Sequence, residues 1–481
     1  MRTKSILKYM SYVLLFNALF LFISAGISFF LHENTLMPLF ISALISAIGG
    51  ILPIVLIGKI DDINFREGIA ISVFGWILAC LAGALPFILS GGEFTLANAI
   101  FESMSGFTTT GASILQNVEG LSKGLLFWRA STHFIGGIGV ILFVLLILPD
   151  AKSIRASIYR TEVSGLSQIN FKMRANKIIR ILSIVYVSLT IVLTALLRIQ
   201  GMSFFDSVCH AFTTIATGGF STKNLSIAFY DNPGIEITLT IFMYLSSLHF
   251  GLLFLTFTGN RNNIFTSRVI RAYTGTIVAG ILLITLNLII SSGYTWVEGL
   301  RHASFQVVSI TSTTGIATLD TNSWPLFSKI ILIYFSIQCA MVGSTSGGIK
   351  FDRIYLFFAS LKNRINLIRH PQGVYLTKMN GNVVSQELES QTMAFIILYM
   401  LIFFVVTLIL SAMNIDETTA ITASIATLGN VGPGFGEIGS LGNFSGMPDA
   451  AKYLLSVNML LGRLEILNVI TLLVIFIKKN Q

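Results

Sequence analysis

The chain has 481 residues, of which 54% are hydrophobic and 11% are charged. Soluble domains carry roughly 25% charged residues. This composition, with a mean hydropathy of +0.80, therefore excludes an ordinary soluble protein and predicts an integral membrane protein. The formal net charge of +9 does not indicate nucleic-acid binding, because the basic residues concentrate in alternate loops between apolar runs. We expect the lipid bilayer, and no nucleic acid, as a partner.

About ten apolar stretches reach the length of about 20 residues that a membrane-spanning helix needs. The first lacks a signal-peptide cleavage site and is followed at once by a second, so we interpret it as a retained helix. The alternation of basic loops predicts that both termini are cytoplasmic, although the tract 152–180 fits an anion-binding face equally well. The predicted spans are 9–31, 37–58, 68–90, 124–148, 178–198, 234–258, 269–291, 326–358, 392–413 and 451–477.

After an N-terminal hairpin, one pattern occurs four times: an apolar run, a short amphipathic segment, a loop with glycine and mostly threonine, and a second apolar run. The key glycines lie about a hundred residues apart, and this period predicts an all-α membrane protein of four pseudo-symmetric units around a central pore. We divide the chain into a transmembrane hairpin at 1–60 and pore units at 61–150, 151–260, 261–378 and 379–481.

The short amphipathic segments cannot cross a membrane, because a dozen helical residues extend only about 18 Å. Each begins near a capping residue: Thr95, Ser203, Thr295 or Asp416. We expect re-entrant helices that enter from the extracellular side and end at mid-membrane, where unpaired backbone is tolerated only beside water or protein. The segments are 96–107, 204–215, 297–310 and 418–426.

The loops after these segments are candidates for an ion filter. A helix entering from outside directs its C-terminal carbonyls, with about half a negative charge, at the membrane centre. Loop carbonyls can replace the hydration shell of a cation, and glycine permits the necessary turn. Neutral oxygens disfavour a divalent ion. One such loop would more often be an ordinary tight turn, but four copies favour a filter. The candidate filter residues are Thr110, Gly111, Gly218, Gly219, Thr314, Gly315, Val431 and Gly432.

The motifs at 108–112, 215–222 and 430–434 resemble those of the Trk/Ktr/HKT superfamily of potassium transporters, whereas the third loop, at 313–316, is a looser match. The resemblance covers nearly the whole chain, and the N-terminal hairpin is similar to that of the bacterial TrkH type. In that superfamily, glycine in all four units accompanies potassium preference, and serine in the first loop of some plant members accompanies sodium preference. Gly111 therefore implies potassium as the substrate.

The resemblance also implies the setting in which the chain works. It implies a homodimer in the inner membrane of a bacterium, with a soluble nucleotide-binding regulatory partner of the TrkA type. The chain has no Rossmann glycine fingerprint of its own, so nucleotide control must come from that partner. We expect no cofactor in this chain, with the potassium ion as substrate only.

The third inner run contains three glycines within six residues, which should unwind a helix. The segment is not a phosphate-binding loop, because lysine does not directly follow the second glycine of a spaced pair. The resemblance implies an intramembrane loop that obstructs the pore as a gate, and a static kink at a packing contact is the alternative. The candidate gate residues are Gly343, Ser344, Thr345, Ser346, Gly347 and Gly348.

Arg463 lies in the fourth inner run, some 20 Å from its outer end at the helical rise. An intramembrane arginine costs at least about 3 kcal/mol and usually faces a cavity or a partner. The resemblance places a basic residue of the superfamily here, and our hypothesis is that Arg463 opposes cations and holds the 343–348 loop. The alternative is an arginine locked to another helix. Glu102 has no counterpart in the other short segments, so we interpret it as a structural hydrogen-bonding group.

Other chemistry is poorly supported by the sequence. The three isolated cysteines and six scattered histidines lack metal-ligand spacing, which favours structural roles. Nucleophile-elbow and zinc-protease motifs are missing, so we expect no enzyme. We predict channel-like potassium uptake, gated by the intramembrane loop and the cytoplasmic partner. A symporter that couples potassium to sodium or protons is the alternative, for which Glu102 and Glu465 are among the few titratable candidates.

Overall fold

The computed structural model describes residues 2–58, 64–139, 175–259, 263–464 and 466–479. Apolar helices dominate these residues, as the composition predicts. We number the helices in chain order as follows: α1 Thr3–Phe30, α2 Leu36–Leu56, α3 Phe65–Ser90, α4 Leu96–Phe107, α5 Lys123–Ile138, α6 Ala175–Ile199, α7 Phe204–Ile215, α8 Pro233–Ser247, α9 Phe250–Phe257, α10 Arg268–Ser292, α11 Trp296–Thr311, α12 Leu326–Gln338, α13 Phe351–Arg369, α14 Gln386–Ala412, α15 Glu417–Leu428, α16 Asp449–Arg463 and α17 Ile466–Lys479.

Within the described residues, six helices are long and apolar enough to cross a membrane, or up to eight if each of two bent pairs forms one span. These helices are those of a multi-pass membrane protein. The predicted count of ten is not reached. One reason is that the predicted span at 124–148 continues past residue 139, beyond the described residues.

Two inner runs that we predicted as continuous helices are interrupted. Helix α8 ends at Ser247 and α9 continues at an angle of 106°. The backbone groups freed at this break are satisfied from elsewhere: the Ser247 carbonyl accepts from the Met341 N–H, and the Phe250 N–H donates to the Gly343 carbonyl, both at 3.1 Å. Because these partners are distant in sequence, local periodicity could not show the break. The predicted run at 451–477 likewise divides, into α16 and α17.

The N-terminal hairpin, α1 and α2, packs on α3 and α5. Between its two helices lies Glu33, whose carboxylate accepts from the N–H groups of Lys123 at 2.7 Å and Gly124 at 3.0 Å. These are unpaired donors of the first turn of α5, where a negative charge is also favoured by the helix dipole. The hairpin is thus tied to the helix that follows the first short segment.

The four predicted short helices are confirmed as α4, α7, α11 and α15, two of them with the predicted bounds. Each predicted cap residue accepts a hydrogen bond from a backbone N–H of the first turn. Hydrogen bonds from Thr419 lower the pKa of the Asp416 carboxyl, the cap of α15. The short helices therefore begin where local capping chemistry sets them.

The connection at 362–390 contains turns, as Asn380 and Gly381 predict. Helix α13 ends at Arg369, and a hairpin of β1 (Lys378–Met379) and β2 (Asn382–Val383) follows. Asn380 and Gly381 both have positive φ, 49° and 86°, which is the geometry of the tight hairpin turn that Asn-Gly favours. These strands are a small addition to the all-α prediction. The other predicted long connection, at 149–177, lies outside the described residues as far as residue 174.

Candidate ion-binding site

Four loops follow the short helices: L1 (108–113), L2 (216–221), L3 (312–317) and L4 (429–434). In each, a left-handed residue follows the helix, and the next N–H donates to a carbonyl five residues back at 2.8–2.9 Å. This is the Schellman motif, which usually has glycine at the left-handed position. Threonine rarely adopts such angles, so strain of order 1–3 kcal/mol is held at each of the three loops that have threonine there, whereas asparagine tolerates this conformation. The left-handed residues are Thr109 (φ 53°), Thr217 (φ 55°), Thr313 (φ 62°) and Asn430 (φ 53°).

Two residues after each left-handed residue lies a glycine that also has a positive φ. All four loops therefore share one backbone conformation, although their sequences differ. The four glycines are the ones that the sequence repeat singled out. They are Gly111 (φ 81°), Gly219 (φ 87°), Gly315 (φ 73°) and Gly432 (φ 95°).

Contacts between the loops form a closed ring. A β-carbon added to the key glycine of any loop would collide with the carbonyl oxygen of the residue that precedes the key glycine of the next loop. L4 meets L1 in the same way, so the ring closes and unites all eight predicted filter residues. The four contacts are Gly111 with Gly218, Gly219 with Thr314, Gly315 with Val431, and Gly432 with Thr110.

All four key glycines line one open cavity of about 240 Å³. The rest of its wall consists of residues that follow the glycines in L1, L2 and L4 and of nearby segments with both polar and apolar side chains. Arg129 and Lys223 are its charged residues within the described chain, and no carboxylate lines it there. The glycine ring is therefore reached from solvent through a neutral to basic vestibule.

The predicted gate lies in the segment 339–350, here called the inner loop, which separates α12 from α13. It is not helical, as the three glycines predict. The Thr345 hydroxyl donates to the carbonyl of Ile215, the last residue of α7, at 3.1 Å. A β-carbon on Gly347 would collide with Asn430 of L4. The inner loop thus packs directly against the end of α7 and against L4.

Arg463 joins the inner loop to the first unit. Its guanidinium donates to the Thr345 carbonyl, to the Thr109 hydroxyl at 3.1 Å, and to the carbonyls of Gly136 and Gly137 at 2.6 and 3.1 Å. One side chain therefore contacts the candidate gate, L1 and the end of α5. This satisfies the expectation that an intramembrane arginine has partners.

Glu102 is fully buried and hydrogen-bonded, as we predicted, but its ionic partner was missed. The Arg129 Nε donates to a Glu102 oxygen at 2.5 Å, and the two side chains are 4% and 0% exposed. The sequence held a signal: Arg129 lies inside the predicted span at 124–148, where a charged residue itself indicates a special site. Glu465 lies outside the described residues.

The cysteines and histidines have structural surroundings. Cys80, Cys209 and Cys339 are buried and unpaired. His210 is hydrogen-bonded to the Asp206 carbonyl and the Ser221 hydroxyl, at 2.8 and 3.0 Å. No cluster of three or more histidines, cysteines or carboxylates is present in the described part of the chain. The oxygen groups that converge here are backbone carbonyls and hydroxyls.

These features define a multi-pass helical membrane protein with four repeated helix–loop segments that meet in one ring. The family model described as TrkH, cation transport protein, matches residues 43–481. The Trk system potassium uptake protein TrkH of Salmonella typhimurium is 35% identical over 419 residues, 86% of each chain. That of Halomonas elongata is 32% identical over 414 residues, which are 85% of this chain and 86% of the relative.

A solved structure agrees with these relatives. The crystal structure of the potassium transporter TrkH from Vibrio parahaemolyticus superposes with a TM-score of 0.88 at 30% identity, covering 98% of this chain and 99% of that one. The chain belongs to the TrkH family of cation transport proteins. The predicted resemblance is thereby confirmed.

The close contacts in the ring predict that a methyl group added at a key glycine destabilises the protein more than the unfavourable positive φ alone would. Gly219→Ala places a β-carbon against the Thr314 carbonyl, whereas Gly92→Ala, also at a positive φ (68°), meets nothing within 4 Å. We expect Gly92→Ala to cost about 1–2 kcal/mol and Gly219→Ala to lower the melting temperature of the detergent-solubilised protein clearly further. An equal fall in melting temperature in the two variants would contradict the close contacts in the ring.

Proposed function

We propose that this chain is the potassium-translocating membrane subunit of an uptake system, and that the closed glycine ring is its selectivity filter. The carrying observation is the cyclic contact of four carbonyls with four glycines. The relatives, named as potassium uptake proteins, support potassium as the substrate. The filter residues would be those that the sequence repeat indicated.

The proposed mechanism is electrostatic. Helices α4, α7, α11 and α15 end at the ring, and each C-terminus carries about half a negative charge. A cation in the vestibule is drawn towards these ends, and the ring carbonyls replace its water ligands. No carboxylate lines the vestibule within the described residues, which favours a monovalent over a divalent ion.

We further propose that the inner loop is the gate and that Arg463 holds it closed. The contacts of Arg463 with Thr345 and Thr109 support this role, because the fixed positive charge of the guanidinium would oppose a cation leaving the proposed filter. An opening movement would have to break these bonds. We propose that a cytoplasmic nucleotide-binding partner of the TrkA type controls this movement.

We also propose the oligomeric state, the location and the mode of transport of the chain. The chain would act as a homodimer in a bacterial inner membrane, with both termini cytoplasmic and potassium as the transported ion. Its sequence would divide into the hairpin at 1–60 and the four pore units given above. Passive, channel-like conduction is favoured over symport with sodium or protons, because Glu102 is held by Arg129 and offers no free carboxylate for coupling.

Expression in a bacterium that lacks its own potassium uptake systems tests this function. We expect growth on low-potassium medium and uptake of rubidium, both enhanced by a co-expressed TrkA-type partner. Current through the purified protein should reverse at the potassium equilibrium potential, and a shifted reversal would indicate coupling. Failure to rescue growth by a protein that is present in the membrane would overturn the proposal.

Replacing a filter glycine by serine should reduce discrimination between potassium and sodium. Serine at Gly111 or Gly432 adds a β-carbon at a positive φ against a neighbouring carbonyl, which displaces a proposed ion ligand. We expect sodium to inhibit rubidium uptake at roughly tenfold lower concentration, the effect of about 1.4 kcal/mol. Gly92→Ser, in open space, is the control, and unchanged selectivity at both filter glycines would count against the filter.

Removing the guanidinium of Arg463 should loosen the gate. Arg463→Gln loses charge-assisted bonds to the inner loop and to L1, and such bonds contribute about 1.5–3 kcal/mol each. We expect faster rubidium uptake and less dependence on the partner protein. Arg198→Gln, which removes a bond to the Met202 carbonyl at the end of α6, is the matched control. Unaltered uptake and partner dependence in Arg463→Gln would remove Arg463 from the gate.

A further inference from the structure

The ring is symmetric in its backbone but not in the side chains behind it. The difference is clear at the position five residues before the last residue of each short helix. In α4 and α7 this position bonds to a serine two residues after the key glycine: Glu102 to Ser113 and His210 to Ser221. In α11 and α15 it holds Gln306 and Ala423. The Gln306 amide nitrogen is buried and has no hydrogen-bond partner among the described residues.

Arg129 extends this support across the boundary between the first two loops. Its Nη1 donates to the Ser221 carbonyl at 2.9 Å, and its guanidinium carbon lies 3.7 Å from the centroid of the Phe220 ring. Its Nε binds Glu102. Arg129 therefore contacts L2 directly and reaches L1 through the Glu102 carboxylate.

Glu102 completes the connection on the L1 side. Its oxygens accept from the Ser113 hydroxyl at 3.0 and 3.2 Å and from the Ile114 N–H at 3.0 Å. A buried carboxylate and guanidinium persist only with good mutual geometry and further hydrogen bonds. Both conditions are met here, and the additional bonds go to the segments that leave the ring at L1 and L2.

The opposite side of the ring lacks such a support in the described residues. Between α11 and α15 the structure has a small cavity of about 20 Å³, lined by Gln306, Thr422 and Gly434 among others. Gly434 occupies in L4 the place that Ser113 occupies in L1. The L1–L2 boundary is thus ionically cross-linked, while no ion pair links L3 and L4 in the described residues and a small cavity lies beside them.

We propose that Glu102 and Arg129 are positioning residues that fix the spacing of L1 and L2 and thereby set the discrimination between potassium and sodium. This inference rests on the proposed function of the ring. Arg129 touches no proposed ion ligand itself, and its action passes through Ser221, Phe220 and Glu102. Loss of the pair frees one side of the ring to contract around a smaller ion.

The experiment measures rubidium uptake and its inhibition by sodium for the full-length chain in potassium-uptake-deficient cells. In Arg129→Gln we expect the sodium concentration for half inhibition to fall about tenfold, the scale of one lost hydrogen bond to a charged group. Arg129→Lys keeps the charge, but its single ammonium replaces a planar group that binds at two points, so an intermediate value is expected. Glu102→Gln should behave like Arg129→Gln.

Arg301→Gln is the matched control. Arg301 forms a similarly close pair with Glu236, with N–O distances of 2.6 and 2.7 Å. This pair joins α11 to α8, and Arg301 has no hydrogen bond to L1–L4 within the described residues. It should leave the sodium inhibition unchanged. If Arg129→Gln does not reach the membrane, Arg129→Lys and Glu102→Gln decide the question.

The outcomes separate the two proposals. Absence of rubidium uptake by the unaltered chain would overturn the proposed function. If the unaltered chain discriminates between rubidium and sodium, and the membrane-inserted Arg129 and Glu102 variants discriminate equally well, the positioning role is overturned. A purely structural role predicts a lower melting temperature and lower maximal uptake with an unchanged sodium-to-rubidium ratio, and this result also rejects the proposal.

Discussion

The close approach of each loop carbonyl to the glycine of the next loop is the constraint on which the structure depends. Four such contacts must hold at once, so the four short helices are fixed relative to one another. Glycines on the inner helices extend the same constraint. A β-carbon on Gly136 would collide with the carbonyl of Phe107, and one on Gly462 with that of Leu428. Close backbone packing therefore sets the position of helix ends as well as loops.

The left-handed threonines show how this arrangement is stabilised. A Schellman turn with threonine is unfavourable by itself, so tertiary contacts must offset the strain. At L4 the Asn430 amide donates to the Thr110 hydroxyl and to the Met459 carbonyl, both at 2.9 Å. At L1 the Thr109 hydroxyl accepts from Arg463. The groups beneath the ring thus hold its backbone and also connect it to the inner loop.

The sequence predicted the features that local chemistry determines. The short helices, their caps and the Asn380-Gly381 turn were predictable because capping and positive φ act over a few residues. The break after Ser247 was not, because its free carbonyl is satisfied by Met341, far along the chain. The eight residues that form the ring were predictable from the sequence repeat. The pairing of Arg129 with Glu102 depends on the tertiary structure and could not be predicted from the sequence, although a charged residue in an apolar run was visible there.

A single chain that forms a four-part ring can assign different tasks to equivalent positions, which a ring of four identical chains cannot. Glu102, His210, Gln306 and Ala423 occupy one such position, and only the first carries a charge. Arg463 similarly lies in the fourth unit, and its guanidinium donates a hydrogen bond to the inner loop of the third unit. Because the backbone symmetry supplies the ring, these unequal side chains are free to give each boundary and each neighbouring segment its own contacts.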